Sequence, residues 1–415
     1  MLLCSVADLE PGMHVGGSVV HPRRPETELL RPGAVLEAPM IDRLRRIGVT
    51  EVWVHHDATA DLDAAVAPEL SEARTAVYRR LKDDFGRMAT ATISAATILD
   101  YRIAISELVF RLVSSGKYAH LSYALIDEQD RSFSHAANVA FLSVLVGLEI
   151  QGYVVRERSR LSSEHARDMV PLGLGAMLHD IGKLKLEGQA RHHHEIDPPA
   201  EEPETAAQYT THAELGYDAL TEIRMPATAR QIVLNHHQRF DGSGWPDLAT
   251  VTKGRRTGPQ REGEIHVFSR IVAAANVLDN LLYDAEGNPH PTVSALREFA
   301  GPRFDGWFDP VVRDLMIRRL PPFPIGALVR LSDGGRAVVV RPNFQQPCRP
   351  AVRLLDGAGR QEAGEQPTID LEACPDRHIV ECAGQAVEEH LFDLPPLKKH
   401  GRPGPETGAV SEDAA

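Results

Sequence analysis

From Ser71 to about Leu320, apolar residues return every three or four positions, the period of a helix facing a core, and shorter β-type apolar runs bracket this stretch on both sides. Within Ser71–Lys117, Val77, Leu81, Met88, Ile93, Ile98, Ile103, Leu108 and Leu112 fit one or two amphipathic helices. The same spacing predicts helices over 134–151, 164–180, 206–222, 227–237, 265–283 and 308–318. Glu187–Thr205, rich in Glu, Pro and His, and Gly242–Glu262, rich in Gly, Arg and Pro, read as loops. Upstream, Pro11-Gly12 and Pro32-Gly33 mark turns, Val15–Val20 suggests a strand, Pro39–Ile47 a helix and Val52–Val54 a closing strand, before the small-residue connector Asp57–Pro68. Downstream of Pro321-Pro322, the runs Ala327–Leu331, Ala337–Val340 and Ala351–Leu355 are split by Asp333-Gly334-Gly335 and predict a small β module to about Glu381. From Leu394 the tail is rich in Pro, Gly and charge with little to bury, so disorder is expected there.

The pattern predicts a mainly α protein in which an all-helical bundle is flanked by small β-rich modules. Its divisions are an α+β module over 1–57, a connector with long amphipathic helices over 58–118, a helical domain over 119–320, a β module over 321–385 and a tail over 386–415.

Composition narrows this picture by exclusion. A chain of 415 residues can fill two or three cores, and 43% hydrophobic with 25% charged residues is ordinary for a globular protein. A formal charge of −13 argues against broad binding to nucleic acid or to anionic membranes, both of which want a basic surface. Cys4, Cys348, Cys374 and Cys382 form no CxxC pair, so neither a disulfide scaffold nor a zinc ribbon is expected. No run approaches about 18 consecutive apolar residues, and Met1–Val6 has no basic n-region, so the sequence predicts neither a membrane span nor a secretory signal. A cytoplasmic protein is the expectation.

The chemistry lies in the helical stretch. Leu178-His179-Asp180-Ile181-Gly182-Lys183 sets an imidazole beside a carboxylate at the end of an apolar helix, followed by a Gly turn and a Lys. His179 can bind one metal while the two oxygens of Asp180 can bridge to another. His135, His212 and the pair His236-His237 extend the ligand set. Standing alone, His135 or His212 would read as a structural core histidine. The six together, all in one helical domain, match what metal-assisted phosphoester hydrolysis requires. The mixed nitrogen and oxygen donors suit Fe, Mn or Zn without singling one out. His192-His193-His194, beside Glu195 and Asp197, reads as a solvated loop, and His55-His56 as the end of the first module.

These residues, with Asp241-Gly242-Ser243-Gly244-Trp245-Pro246, resemble the HD-GYP family of bacterial phosphodiesterases, a branch of the HD-domain phosphohydrolases. Gly244-Trp245-Pro246 stands where the family shows Gly-Tyr-Pro, and the match covers roughly residues 119–320. The resemblance implies an HD-domain bundle and hydrolysis of cyclic di-GMP to a linear dinucleotide or to GMP in bacterial signal transduction. It also implies two divalent ions, Fe or Mn first, with Zn, Mg or Ni as alternatives. His135, His179 and Asp180 would hold one ion, Asp180 would bridge, and His212, His236 and His237 would hold the second. Asp180 and Lys183 would be the catalytic pair, Lys183 neutralising phosphate charge. Asp241, Gly244, Trp245 and Pro246 would shape the substrate side, with Asp279 in support. Partners would be the cyclic dinucleotide, signalling proteins and a second copy in a homodimer, with no nucleic acid and no membrane.

Three departures temper the resemblance. Asn276 occupies a position where the family has a ligating Asp, within Ser269–Asn280, so a neutral amide replaces a carboxylate. Leu281-Leu282-Tyr283-Asp284-Ala285-Glu286 replaces a basic, aromatic stretch. Arg131 stands where some members have a Glu for a third metal, which limits the expectation to two. The alternative is therefore a degenerate domain that binds nucleotide or a signalling partner with little hydrolysis.

Overall fold

A computed structural model describes residues 1–22, 24–65, 73–82, 95–114, 131–187, 196–197, 203–223, 225–247, 259–283, 290–355 and 367–395. His192–His194, Glu195, residues 284–286 and the tail from 396 lie outside the described residues.

The helical domain is built around α4 (Arg131–Glu149), which runs through its middle. Phe133, Ala137, Val139, Phe141, Leu142 and Val144 of α4 are all buried, each large apolar side chain contributing about 1.5–3 kcal/mol when removed from water. Among the described residues, α4 is the helix long and apolar enough to cross a membrane, but 78% of that stretch is buried inside the fold and it carries His135, Asn138 and Ser143. Core packing accounts for its hydropathy. Preceding it are a helix over residues 73–82 (α2) and α3 (Ala95–Ser114); α1 is Ala38–Arg46 in the N-terminal region. After α4 come α5 (Gln151–Glu157), α6 (Ser163–Arg167), α7 (Val170–Met177), α8 (Pro203–Thr210), α9 (His212–Glu222), α10 (Ala227–Asn235), α11 (Val267–Leu281), α12 (Thr292–Ala300) and α13 (Pro310–Arg319).

The stretch read as one helix over 164–180 is two. Pro171, near the start of α7, has no N–H to donate into a preceding turn, so the chain breaks at Asp168-Met169. Likewise 206–222 divides at Thr211 into α8 and α9. These breaks matter because they place helix ends in the interior. α4 packs on α7 and α11, α7 on α10, and α10 on α9.

A buried ion cluster fixes α11. Arg270 Nη1 donates to Asp309 Oδ2 and Tyr153 Oη, each at 2.8 Å, Nη2 donates to Glu157 Oε2 at 2.6 Å, and Nε to the Ile265 carbonyl at 2.7 Å. Asp309 also caps α13 by accepting from Val311 N–H at 2.9 Å. Every strong donor and acceptor there has a partner, which is what makes a buried charge tolerable.

The β-rich ends pack together. β1 (Leu2–Ser5) pairs antiparallel with β4 (Glu51–Val54), and β2 (Val19–His21) with β3 (Arg24–Leu30). Near the C-terminus six antiparallel strands form a sheet in the order β10-β9-β5-β6-β7-β8, from Leu328–Leu331 (β5), Arg336–Arg341 (β6), Ala351–Leu355 (β7), Thr368–Asp370 (β8), Ile379–Cys382 (β9) and Gln385–Ala386 (β10). Leu2, Val52 and Val54 share one apolar core with Ile325, Leu328 and Val338. Leu3 N–H donates to the Gly326 carbonyl at 2.7 Å, and Arg353 grips Asp61 through two hydrogen bonds at 2.8 and 2.9 Å. Val293 of α12 and Phe323 join the core beneath the sheet, tying it to the helical domain. All four cysteines are unpaired.

Candidate metal centre

The centre is assembled from helix ends. His179 lies two residues past α7, His212 two residues past α8, and His236 immediately past α10. The last turn of a helix leaves carbonyls without intrahelical partners. Each of these histidines uses one: Nδ1 of His179 donates to Ala176 O at 2.7 Å, Nδ1 of His212 to Tyr209 O at 2.6 Å and Nδ1 of His236 to Val233 O at 2.7 Å. His135, on α4, instead donates Nδ1 to Asp279 Oδ2 of α11 at 2.7 Å. In all four the proton is held on Nδ1, which fixes the ring and leaves the Nε2 lone pair pointing inward.

Those lone pairs face each other. His135 Nε2 and His179 Nε2 are 3.2 Å apart, as are His212 Nε2 and His236 Nε2. Asp180 lies between the two pairs. Its Oδ2 is 3.5 Å from His179 Nε2 and 4.0 Å from His135 Nε2, while Oδ1 is 3.3 Å from His212 Nε2 and 3.6 Å from His236 Nε2. Asp180 Oδ1 and His237 Nε2 are buried without a hydrogen-bond partner. Lone pairs gathered this closely repel unless a cation sits among them, and an orphaned buried carboxylate oxygen costs about 1–3 kcal/mol or more. The donor set fits divalent metal. It forms two groups, His135, His179 and Asp180 in one, Asp180, His212, His236 and His237 in the other.

Electrostatics keep the set in ligand form. Burial pushes His179 and His237 well below the ordinary imidazole value, against the pull of Asp180, and pushes His212 down to about 4. Burial alone would raise Asp180, but the Lys183 ammonium beside it holds its carboxyl well below the usual range. Near neutral pH His179, His212 and His237 are therefore neutral imidazoles beside a carboxylate. Lys183 Nζ donates to Asp180 Oδ2 at 2.7 Å and lies 5.2 Å from the centre of the Tyr209 ring.

Two glycines allow the convergence. A Cβ on Gly182 would lie 1.9 Å from the His212 carbonyl, so only glycine lets the turn Ile181–Lys185 reach α9. A Cβ on Gly244 would lie 2.4 Å from His237 O, and glycine there folds the following loop back on the histidine pair. As a result Trp245 stacks on His237 with ring centres 3.8 Å apart and 18° between planes.

Each remaining residue of the expected site has a definite place. Pro246 O accepts from the buried Gln238 Nε2 at 2.8 Å, and Asp241 Oδ1 accepts from Ser243 N–H and Oγ–H within its own turn. Asp279 lies behind His135, and its second oxygen has no partner. Asn276 is buried one turn earlier on α11, its Oδ1 accepting from Asn280 Nδ2 at 3.1 Å. The structure brings His135, His179, Asp180, His212, His236, His237 and Lys183 together. Trp245 packs against that group, and Asp241 faces its own turn.

Sequence reasoning passed over Tyr209 and Gln238. Tyr209 supplies the carbonyl for His212 and a buried ring beneath Lys183; its signal is the three-residue spacing shared by Ala176–His179, Tyr209–His212 and Val233–His236. Gln238 clamps the Trp245 loop at both ends, accepting from Gln260 N–H at 2.7 Å, and no sequence pattern points to it.

Comparison with known proteins agrees with this geometry. The HD domain family model matches residues 132–281. The cyclic di-GMP phosphodiesterase PA4108 of Pseudomonas aeruginosa is 26% identical over 379 residues, spanning 82% of each chain. The cyclic di-GMP phosphodiesterase response regulator RpfG of Xanthomonas campestris is 29% identical over 168 residues, 40% of this chain and 39% of its own. Among solved structures, Bd1817, an HDG"Y"P protein from Bdellovibrio bacteriovorus, aligns with a TM-score of 0.41 and 16% identity, covering 77% of this chain and 97% of that one. The HD domain and the likeness to the two cyclic di-GMP phosphodiesterases support a phosphodiesterase.

Proposed function

We propose, for a chain that belongs to the HD-domain superfamily and resembles its HD-GYP branch, hydrolysis of cyclic di-GMP or a related cyclic dinucleotide at a dinuclear centre. The observation that carries this reading is the meeting of five imidazoles around the two oxygens of Asp180 in one buried pocket. When bound, divalent ions (Fe or Mn first, with Zn, Mg or Ni as alternatives) would set positive charge against the phosphodiester and activate the attacking water. His135 and His179 would hold one ion, His212, His236 and His237 the other, with Asp180 shared.

The chain's own groups do the rest. Carbonyls at Ala176, Tyr209 and Val233 and the carboxylate of Asp279 lock the imidazoles, so little rearrangement is needed on ligand binding. Lys183 stands at the edge of the pocket, half-supported by the Tyr209 ring, where its ammonium can neutralise charge growing on a phosphate oxygen. Trp245, stacked on His237, sets an aromatic ring beside the imidazoles where a base could pack. A cytoplasmic setting, signalling partners and a homodimer belong to the same proposal.

Asn276 favours a second reading, a domain that binds the nucleotide and turns it over slowly. Its amide brings no charge and is already engaged by Asn280. Protein purified without oxygen decides between them by its metal content and by hydrolysis of cyclic di-GMP in wild type, Asp180→Ala and Asn276→Asp. Turnover in wild type that vanishes in Asp180→Ala supports the enzyme. Nucleotide binding without hydrolysis under any metal, in wild type and Asn276→Asp alike, contradicts it.

A further inference from the structure

Resting on the metal-dependent reading above, we infer that the two halves of the centre load in order. One ion binds first to His212, His236, His237 and Asp180 Oδ1. The second binds to His135 and His179 only as Lys183 leaves Asp180 Oδ2.

The two oxygens of Asp180 are not equivalent. Oδ1 faces His212 and His236 at 3.3 and 3.6 Å, is buried and has no hydrogen-bond donor. His237 Nε2, in the same half, is also buried without a partner. That half therefore presents a buried carboxylate oxygen and an imidazole nitrogen that have no hydrogen-bond partner. Oδ2, which faces the other half, carries the Lys183 ammonium at 2.7 Å. An ammonium and a divalent ion repel each other and compete for the same lone pairs, so the second ion has to displace the first cation or share with it.

The donor sets differ as well. Three imidazoles and a carboxylate oxygen serve the first half, but only two imidazoles and a carboxylate oxygen serve the second. The smaller donor set and the Lys183 ammonium weaken the same half. Lys183 is a positioning residue in this scheme: until the second ion arrives it supplies the positive charge Asp180 requires. Once displaced, it is free to turn toward a phosphate. Arrival of the second ion and readiness of Lys183 thus become one event.

The test is anaerobic titration of the full-length, metal-free chain with Mn²⁺, with free Mn²⁺ and spin-coupled pairs followed by electron paramagnetic resonance. Two binding phases are expected, separated by at least about tenfold in Kd, the lower end of what an altered ligand environment produces. Lys183→Met should tighten the weak phase by about tenfold and leave the tight phase unchanged. His237→Gln should weaken the tight phase. Two equal ions in wild type, a Lys183→Met protein with both phases unaltered, or loss of the weak phase alone in His237→Gln would overturn the ordering while leaving the metal-dependent reading intact. No bound Mn²⁺ in folded wild type would overturn both.

Discussion

The helical domain and the β-rich ends solve the same problem, burying polar groups, in opposite ways. Among the described residues, the buried side-chain atoms lacking a hydrogen-bond partner fall in the helical region, and none belongs to the ends over 1–65 or 325–395. The ends bury Leu2, Val52, Leu328 and Val338 against one another and are joined by pairs such as Asp61–Arg353. The helical centre leaves Asp180 Oδ1, His237 Nε2 and Asp279 Oδ1 unsatisfied within a few ångströms of crowded imidazoles. Since each such atom costs about 1–3 kcal/mol, the contrast marks where the fold gives up stability to keep a ligand set open.

The contrast would break most visibly in activity. Asp180→Ala should abolish hydrolysis of cyclic di-GMP, a loss of at least about a hundredfold, whereas Val338→Ala in the shared core of the ends should leave kcat near wild type. The same Val338→Ala change should lower unfolding stability by about 1–3 kcal/mol through its cavity, measured by urea denaturation.

Metal should close the difference between the regions. At a Mn²⁺ concentration about 100 times Kd, linkage adds about 2.7 kcal/mol to stability. Calorimetry should show that gain in wild type and its loss on chelation or in His236→Ala; an equal gain in His236→Ala would place the ion elsewhere.

Acid sharpens the comparison further. His266 caps α11 by accepting from Phe268 N–H at 3.1 Å through Nδ1, which requires the neutral ring, and burial, with Arg158 and Arg270 nearby, pushes it down to about 4. An unfolded chain takes up that proton near the ordinary 6.5, so stability is complete above it and is lost as pH falls through 4. Metal-free protein should lose up to about 3 kcal/mol from this residue across that window. His266→Asn, which keeps a cap, should flatten the curve there. The smallest effect belongs to the ends: Asp61→Ala should cost about 1 kcal/mol or less, because the Asp61 carboxylate is exposed.

What could be read from the chain differs between the two regions for physical reasons. The helical period, the HD pair and the HH pair are local patterns, so the bundle and the six side chains that converge in it were legible. Helix ends were harder: Pro171 and Thr211 divide predicted helices, and the helix end before Thr211 supplies the Tyr209 carbonyl that orients His212. Strands β8, β9 and β10 were not read, since runs of two to four residues carry too little alternation. Nor could the sequence foresee Leu3 meeting Gly326, a contact between chain ends that no local spacing encodes. The stacking of Trp245 on His237 depends in the same way on a loop folding back across Gly244.

Anomalous diffraction from crystals grown anaerobically with Mn²⁺ should show two peaks flanking the carboxylate of Asp180, one beside His212, His236 and His237 and one beside His135 and His179, the latter weaker at limiting metal. Density at neither position, with the imidazoles turned apart, would contradict the dinuclear centre.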